Sequence, residues 1–268
     1  MEQTVQPLVA ALPTQGRLSD LLSVMGAESD DRRLCDACLV PIRRVRAGAA
    51  LFHEGTRAES VHVVRIGTFK ILRLADDGYE QVLGFAGQGE VIGFDALCSG
   101  THPSSALALE DSTVYALPVR ELESLRRRVA PLDRALQTTL SAQLANSAGI
   151  AEVMAAVASE VRLARFLLQR SARMQAAGQS PRRLRLPMSR RDIASHLGVA
   201  HETVSRSFGE LAGWGYLSVD NREVEILDPQ GLRSLARNTR GFVEERPPRT
   251  GLGRVRLSRG NATCVRPQ

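Results

Sequence analysis

The chain has 268 residues, 43% of them hydrophobic, enough for two ordinary domains with real cores. It holds no run of about 18 apolar residues and its N-terminus lacks the basic-then-apolar pattern of a secretory leader, so no membrane association is expected and cytoplasmic residence is the default. The net charge of +6 is unevenly placed: residues 1–159 carry −4, residues 160–239 carry +5 and residues 240–268 carry +5. A mildly acidic part joined to a basic part suits a polyanionic partner for the latter. An arginine-rich composition gives the same pattern without a partner, since Lys70 is the only lysine.

Residues 1–33 read as an irregular segment, broken by Pro7, Pro13, Gly16 and Gly26, with at most one short turn at Leu18, Leu21 and Leu22. Residues 34–130 form the next domain. Within it, short strands recur between glycines, as at Ser60–Val64, Thr68–Leu74, Glu80–Phe85 and Ser112–Leu117, which indicates a barrel or sandwich. The period changes at Pro131. From there to residue 158, apolar residues recur at three- and four-residue steps, and a proline suits a helix start. Such a helix is about 40 Å long, more than a small barrel covers. It is therefore expected to pair with its copy in a second subunit. The expected seam is Leu136, Leu140, Leu144, Ser147, Ala151 and Met154.

A further helix is expected from Ser159 to about Ala176, opening a domain that runs to residue 239. Residues 240–268 form a basic tail with few large apolar residues and are expected to be disordered.

The most informative stretch is Met188 to Ile226. Ser189 suits an N-cap, with Asp192 three residues on. A helix over Arg190–Leu197 buries Ile193, Ala194 and Leu197, and Gly198 turns the chain. A second helix from near His201 buries Val204, Phe208 and Leu211. A small residue, a glycine and a branched residue in these places are what two tightly crossed helices require. With those side chains inside, Glu202, Ser205 and Arg206 face outward near the start of the second helix, the part that enters a major groove. Arg206 can contact guanine O6 and N7, Glu202 can accept from cytosine N4, and Ser205 can serve a base or a phosphate. Arg190, Arg191 and Thr203 are expected at the DNA backbone. Leu217–Val219 and Glu223–Ile226 read as a wing, with Trp214 and Tyr216 packed at its base.

Over about residues 40–240 the sequence resembles the CRP/FNR superfamily of bacterial regulators, on its FNR-like branch. The resemblance is carried by His201-Glu202-Thr203-Val204-Ser205-Arg206, which is similar to that branch's E-x-x-S-R signature. It is carried also by the run Gly89-Glu90-Val91-Ile92-Gly93-Phe94-Asp95-Ala96-Leu97, followed by His102-Pro103-Ser104. The fold implied is α+β: an N-terminal jelly-roll-like β-roll of the cyclic-nucleotide-binding kind, a long dimerisation helix and a C-terminal winged helix-turn-helix. The resemblance implies a homodimer on double-stranded DNA at a palindromic site with TTGAT-like half-sites. It also implies RNA polymerase contact through β-domain loops near Val82–Ala86 and Thr101–Ser105. Activation is the family's usual mode and repression also occurs.

The signal is less determined. The family's cyclic nucleotide binders place an arginine after Gly-Glu to hold the phosphate, but this chain has His102-Pro103-Ser104-Ser105 there, so a cyclic nucleotide is not expected. FNR-type iron–sulfur proteins carry three cysteines before the roll and one inside it. Here Cys35-x-x-Cys38 supplies two, the internal position falls at Tyr115, and Cys98 or Cys264 would have to substitute. An iron–sulfur cluster, thiol redox chemistry or another metal, and no sensing role for the cysteines all remain open. The seam carries no charge, and Ser147 stands where oxygen-dissociated relatives carry an acid, so the dimer is expected to persist without an effector.

Two other function classes compete with a DNA-binding regulator. An adaptor of the same architecture would dock its helix-turn-helix on protein, and its contact with duplex DNA would be insensitive to salt. An enzyme is not expected, because the histidines are scattered and no nucleophile–base grouping or phosphate loop is present.

Overall fold

The computed structural model describes residues 14–29 and 31–238. The N-terminal domain is a β-roll of two antiparallel sheets. One contains β1 (Gln15–Arg17), β2 (Leu39–Val45), β4 (Ser60–Ile66), β7 (Val91–Ile92) and β9 (Ser112–Pro118), in the order β1-β2-β9-β4-β7. The other contains β3 (Ala50–Phe52), β5 (Phe69–Leu74), β6 (Glu80–Ala86) and β8 (Ser105–Ala108), in the order β3-β8-β5-β6.

Strand β4 shows how the sequence builds this. Successive side chains point to opposite faces. Val64 packs between the sheets with Phe69, Ile92 and Val114. Val61 and Val63 pack on the other face, under helices. Both faces are covered, so Val61 to Val64 are buried without interruption.

Those covering helices include a correction. The N-terminal segment is not irregular beyond residue 14. It forms β1, then α1 (Leu18–Val24) and α2 (Arg32–Ala37). Leu18, Leu21 and Leu22 are all buried, at 0%, 0% and 1% exposure, where each side chain contributes about 1.5–3 kcal/mol. They form one cluster with Tyr115, Leu117, Leu122, Leu132 and Leu136. The last three come from α3 (Val119–Arg128) and α4 (Ala130–Ala155).

The long helix α4 therefore has two partners. Its first turns serve the roll, and Leu136, expected on the seam between subunits, is buried inside its own chain at 1% exposure. Beyond that, Leu140 is half-buried, Ser147 and Ala151 are exposed, and Leu144 is 75% exposed. Met154, 41% exposed, lies where a Cβ at Gly198 would come within 2.7 Å of its Cε.

The C-terminal domain contains α5 (Ser159–Ala176), β10 (Arg183–Arg185), α6 (Arg190–Leu197), α7 (His201–Gly213), β11 (Leu217–Asp220), β12 (Glu223–Ile226) and α8 (Pro229–Arg237). The wing is a three-stranded sheet, β10-β12-β11, one strand more than expected. Its core continues into the roll. Val82 and Phe85 of edge strand β6 belong to the same cluster as Phe166, Ile193, Ala194 and Leu197. Ser195 completes the contact, its hydroxyl donating to the Glu80 carbonyl at 2.7 Å and accepting from the Val82 amide at 2.9 Å. An edge strand's unpaired backbone groups are thus satisfied by a helix. The Val82–Ala86 strand, expected as an open loop for RNA polymerase, is instead mostly buried: Val82, Phe85 and Ala86 are 4%, 7% and 7% exposed, and Val82 and Phe85 pack against the C-terminal domain.

Candidate nucleic-acid interface

The helix-turn-helix is built by local chemistry. Ser189 caps α6 by accepting from the Asp192 amide at 3.1 Å, and the Asp192 carboxylate accepts from the Ser189 amide at 2.9 Å. The two orphan donors are satisfied reciprocally, a capping box. Gly198 ends α6 at φ 62°, the left-handed conformation that glycine adopts without a Cβ penalty. Arg162 of α5 ties the corner, donating to the carbonyls of Leu197 at 2.9 Å and Ala156 at 2.7 Å.

Helix α7 then lies across α6. Val204, Phe208 and Leu211 are buried at 1%, 4% and 0% exposure, and Ala194 beneath them is at 3%. On the opposite side Glu202, Ser205 and Arg206 are exposed. These are the three residues expected to read bases, and they share one free face. Arg206 donates to the Thr203 hydroxyl at 3.4 Å, which directs its guanidinium along the helix. The carboxyl of Glu202 is held below the usual range by its own backbone amide at the helix start, helped by His201 and Arg206. It is a carboxylate at neutral pH and accepts hydrogen bonds only.

The arginines expected at phosphates divide into two kinds. Arg191 is exposed. Arg190 stacks over the Phe208 ring at 3.5 Å and donates to the Asn221 carbonyl at 3.0 Å. It joins the recognition helix to the wing tip, a role its sequence position did not show. Asn221 has φ 52° in the two-residue turn between β11 and β12. Asparagine tolerates that conformation, and the turn suits a tight hairpin. Arg183 and Arg185 face acids, Arg183 pairing with Glu225 at 3.5 Å and Arg185 with Glu110 at 3.1 Å.

Among the described residues the three cysteines are not gathered at one site. Cys35 is buried in α2 and donates to the Ser29 hydroxyl at 3.2 Å, Cys38 caps the same helix, and Cys98 is exposed at the end of a separate 3-10 turn, Asp95–Leu97. Tyr115, expected at the position of the family's internal cysteine, is 1% exposed in the core. Among the described residues no three cysteine, histidine or acidic side chains lie close enough to hold a metal. This donor set does not fit a four-thiolate cluster. Cys264 and the basic tail lie outside the described residues.

A β-roll joined by a long helix to a helix-turn-helix with an exposed polar face defines a DNA-binding transcription regulator. Residues 42–129 match the family described as cyclic nucleotide-binding domain, and residues 161–235 match the Crp-like helix-turn-helix domain. The chain is 35% identical over 199 residues to the fumarate and nitrate reduction regulatory protein of Escherichia coli K12, covering 74% of this chain and 80% of that protein. It is 33% identical over 219 residues to the transcriptional activator protein Anr of Pseudomonas protegens, covering 82% and 90%. The structure of FixK2 from Bradyrhizobium japonicum superposes with a TM-score of 0.65 at 27% identity, covering 77% of this chain and 100% of that one. The chain belongs to the CRP/FNR family and is a regulator similar to the FNR and Anr proteins. Among the described residues no helix is long and apolar enough to cross a membrane.

Proposed function

We propose that this regulator binds a palindromic DNA site as a homodimer, with Glu202, Ser205 and Arg206 of each copy reading base edges and Arg191 on the phosphate backbone. The observation that carries the reading is the shared free face of α7, opposite the buried Val204 and Phe208. The homodimer is supported by α4, where Leu144 is 75% exposed next to Ser147 and Ala151. A leucine of that exposure on a long uncharged stripe is covered when a second copy packs on it. The dimer is expected to persist without an effector, because like charges do not oppose pairing along this stripe.

Contact with RNA polymerase is part of the reading. With β6 covered, the roll offers the exposed turn between β5 and β6, Ala75 to Tyr79, as the accessible surface of that hairpin. Control by oxygen or redox state, if routed through cysteine, rests on the Cys35–Cys38 pair and not on a four-thiolate cluster. Activation is the expected sign.

Gel-shift titration on duplexes carrying palindromic and scrambled sites, at several salt concentrations, tests the proposal. Specific binding by a dimer should weaken steeply with salt as counterions are released. Salt-insensitive binding, or equal affinity for both duplexes, would instead favour an adaptor that docks on protein.

A further inference from the structure

Helix α7 carries a glycine, Gly209, well inside its 13 residues. Glycine in a helix interior is less stable than alanine, because it gives up more backbone freedom on folding. A chain keeps one for its own fold when the backbone must turn left-handed or when a neighbour leaves no room for a Cβ. Neither reason holds at Gly209. Its φ is not positive, and a Cβ built on it would meet nothing within 4 Å. Elsewhere in the domain the reasons are visible. Gly198 and Gly215 have φ of 62° and 79°, and a Cβ at Gly231 would come within 2.5 Å of Tyr216 Cε1. Gly213, equally uncrowded, is the last residue of α7, where the interior penalty falls away.

The missing side chain therefore serves the outer surface. Gly209 is exposed and stands three residues from Arg206, four from Ser205 and seven from Glu202. Residues at these steps share one face of a helix, so Gly209 continues the exposed face of α7. At 1.5 Å per residue it lies about 10 Å further along the axis than Glu202. A major groove is about 8.5 Å deep. With the first turn of α7 at the base edges, Gly209 stands level with the sugar–phosphate wall of the groove.

We propose that Gly209 is a specificity-determining position, at which bare helix backbone lets the groove wall close on α7 and so seats Glu202, Ser205 and Arg206 at hydrogen-bonding distance from the bases. A Cβ there holds the helix away from the wall, and hydrogen bonds to base edges weaken beyond about 3.2 Å. The proposal rests on the DNA-binding reading and adds to it a residue that makes no polar contact.

Gly209→Ala in the full chain is the test, because stability and binding should move in opposite directions. The Tm should rise by about 2–4 °C, since alanine is the better helix former and meets no neighbour. Affinity for a duplex carrying two TTGAT-like half-sites as a palindrome, read by fluorescence anisotropy, should fall about tenfold, as for one lost base contact. Affinity for a scrambled duplex should change by at most about twofold, because base edges contribute little there. Gly209→Leu should lose more on the palindrome. Arg206→Ala should weaken palindrome binding less in the Gly209→Ala background than in wild type, because Arg206 is already displaced. Unchanged affinity for the palindrome, an equal loss on both duplexes, or a lower Tm, which makes the glycine a requirement of the fold, would each overturn the proposal. A wild-type chain with no preference for the palindrome defeats the DNA-binding reading and this proposal with it. Preference intact in both wild type and Gly209→Ala defeats this proposal alone.

Discussion

Lys70 of the β-roll reaches Asp192 of the first helix-turn-helix helix at 3.0 Å, across 122 positions of sequence. It also pairs with Glu80 at 2.6 Å, and Lys70 and Asp192 are each only 13% exposed. Burial works against both charges. Hydrogen bonding and pairing outweigh it, raising the lysine pKa through Glu80 and Asp192 and lowering the Asp192 pKa through Ser189 first and then Lys70. The only lysine of the chain thus fastens the β-roll to the DNA-binding domain.

Removing one partner of a largely buried pair leaves the other uncompensated. Lys70→Met should therefore cost about 1–3 kcal/mol in urea unfolding at pH 7, toward the low end because Glu80 is half exposed. Hydrogen exchange localises the effect. The Val82 amide, which donates to Ser195, should exchange faster in the variant. Unchanged protection at Val82 would mean that the Lys70–Asp192 pair does not hold the two domains together.

Arg206→Ala tests the reading face. It should relax preference at one guanine of each half-site by about 1–3 kcal/mol while leaving the fold intact, because the side chain is exposed. Competition gel shifts with single-base variants of the site measure this. A uniform loss across all sequences would reassign Arg206 to a phosphate.

Leu144→Glu tests the dimer. At 75% exposure the residue contributes little to its own chain's core, so the monomer fold should survive. Two carboxylates facing each other across the stripe should shift sedimentation at micromolar concentration from dimer to monomer. A variant that sediments as wild type would place the contact between copies elsewhere.

Buried histidines predict acid sensitivity. His62 is 5% exposed with Nδ1 unpartnered, and its pKa falls from the ordinary 6.5 to about 4 through burial first, then Arg43 and His102. His102 and His196 are lowered too, both first by burial. A lowered histidine is neutral when folded and protonates more readily when unfolded, so stability declines as pH falls from about 6.5 toward 4. His62 alone accounts for about 3 kcal/mol at the bottom of that window. The urea midpoint should fall steeply between pH 7 and pH 4.5, and His62→Gln should flatten the slope.

The exposed face of α7 was legible because it depends on local spacing. Ala194, Gly198, Val204 and Phe208 fix which sides of two short helices are hidden, and Glu202, Ser205 and Arg206 follow. The strands were legible for the same reason, from glycines at regular intervals. Helix α4 was only half legible. Its apolar residues form one continuous stripe in sequence, yet Leu132 and Leu136 are consumed by the roll and only the later positions stay open. Periodicity reveals that a face is apolar and not what it meets. The three leucines of α1 lay between helix-breaking glycines and looked too short to matter. Strand β10 reads Arg-Leu-Arg and resembles a charge run, although Leu184 is 1% exposed. Nothing local announces that Ser195 will complete a strand edge more than a hundred residues away.

The position of Met154 beside Gly198 joins the long helix to the helix-turn-helix. Met154 stands at the end of the long helix and Gly198 is the pivot of the helix-turn-helix, while Arg162 grips both ends of that corner. The two segments are braced like the arms of a pair of calipers. In the proposed dimer, a change in how the two long helices cross, however small, would be transmitted to the separation of the two α7 faces, and hence to which operator spacing they can span.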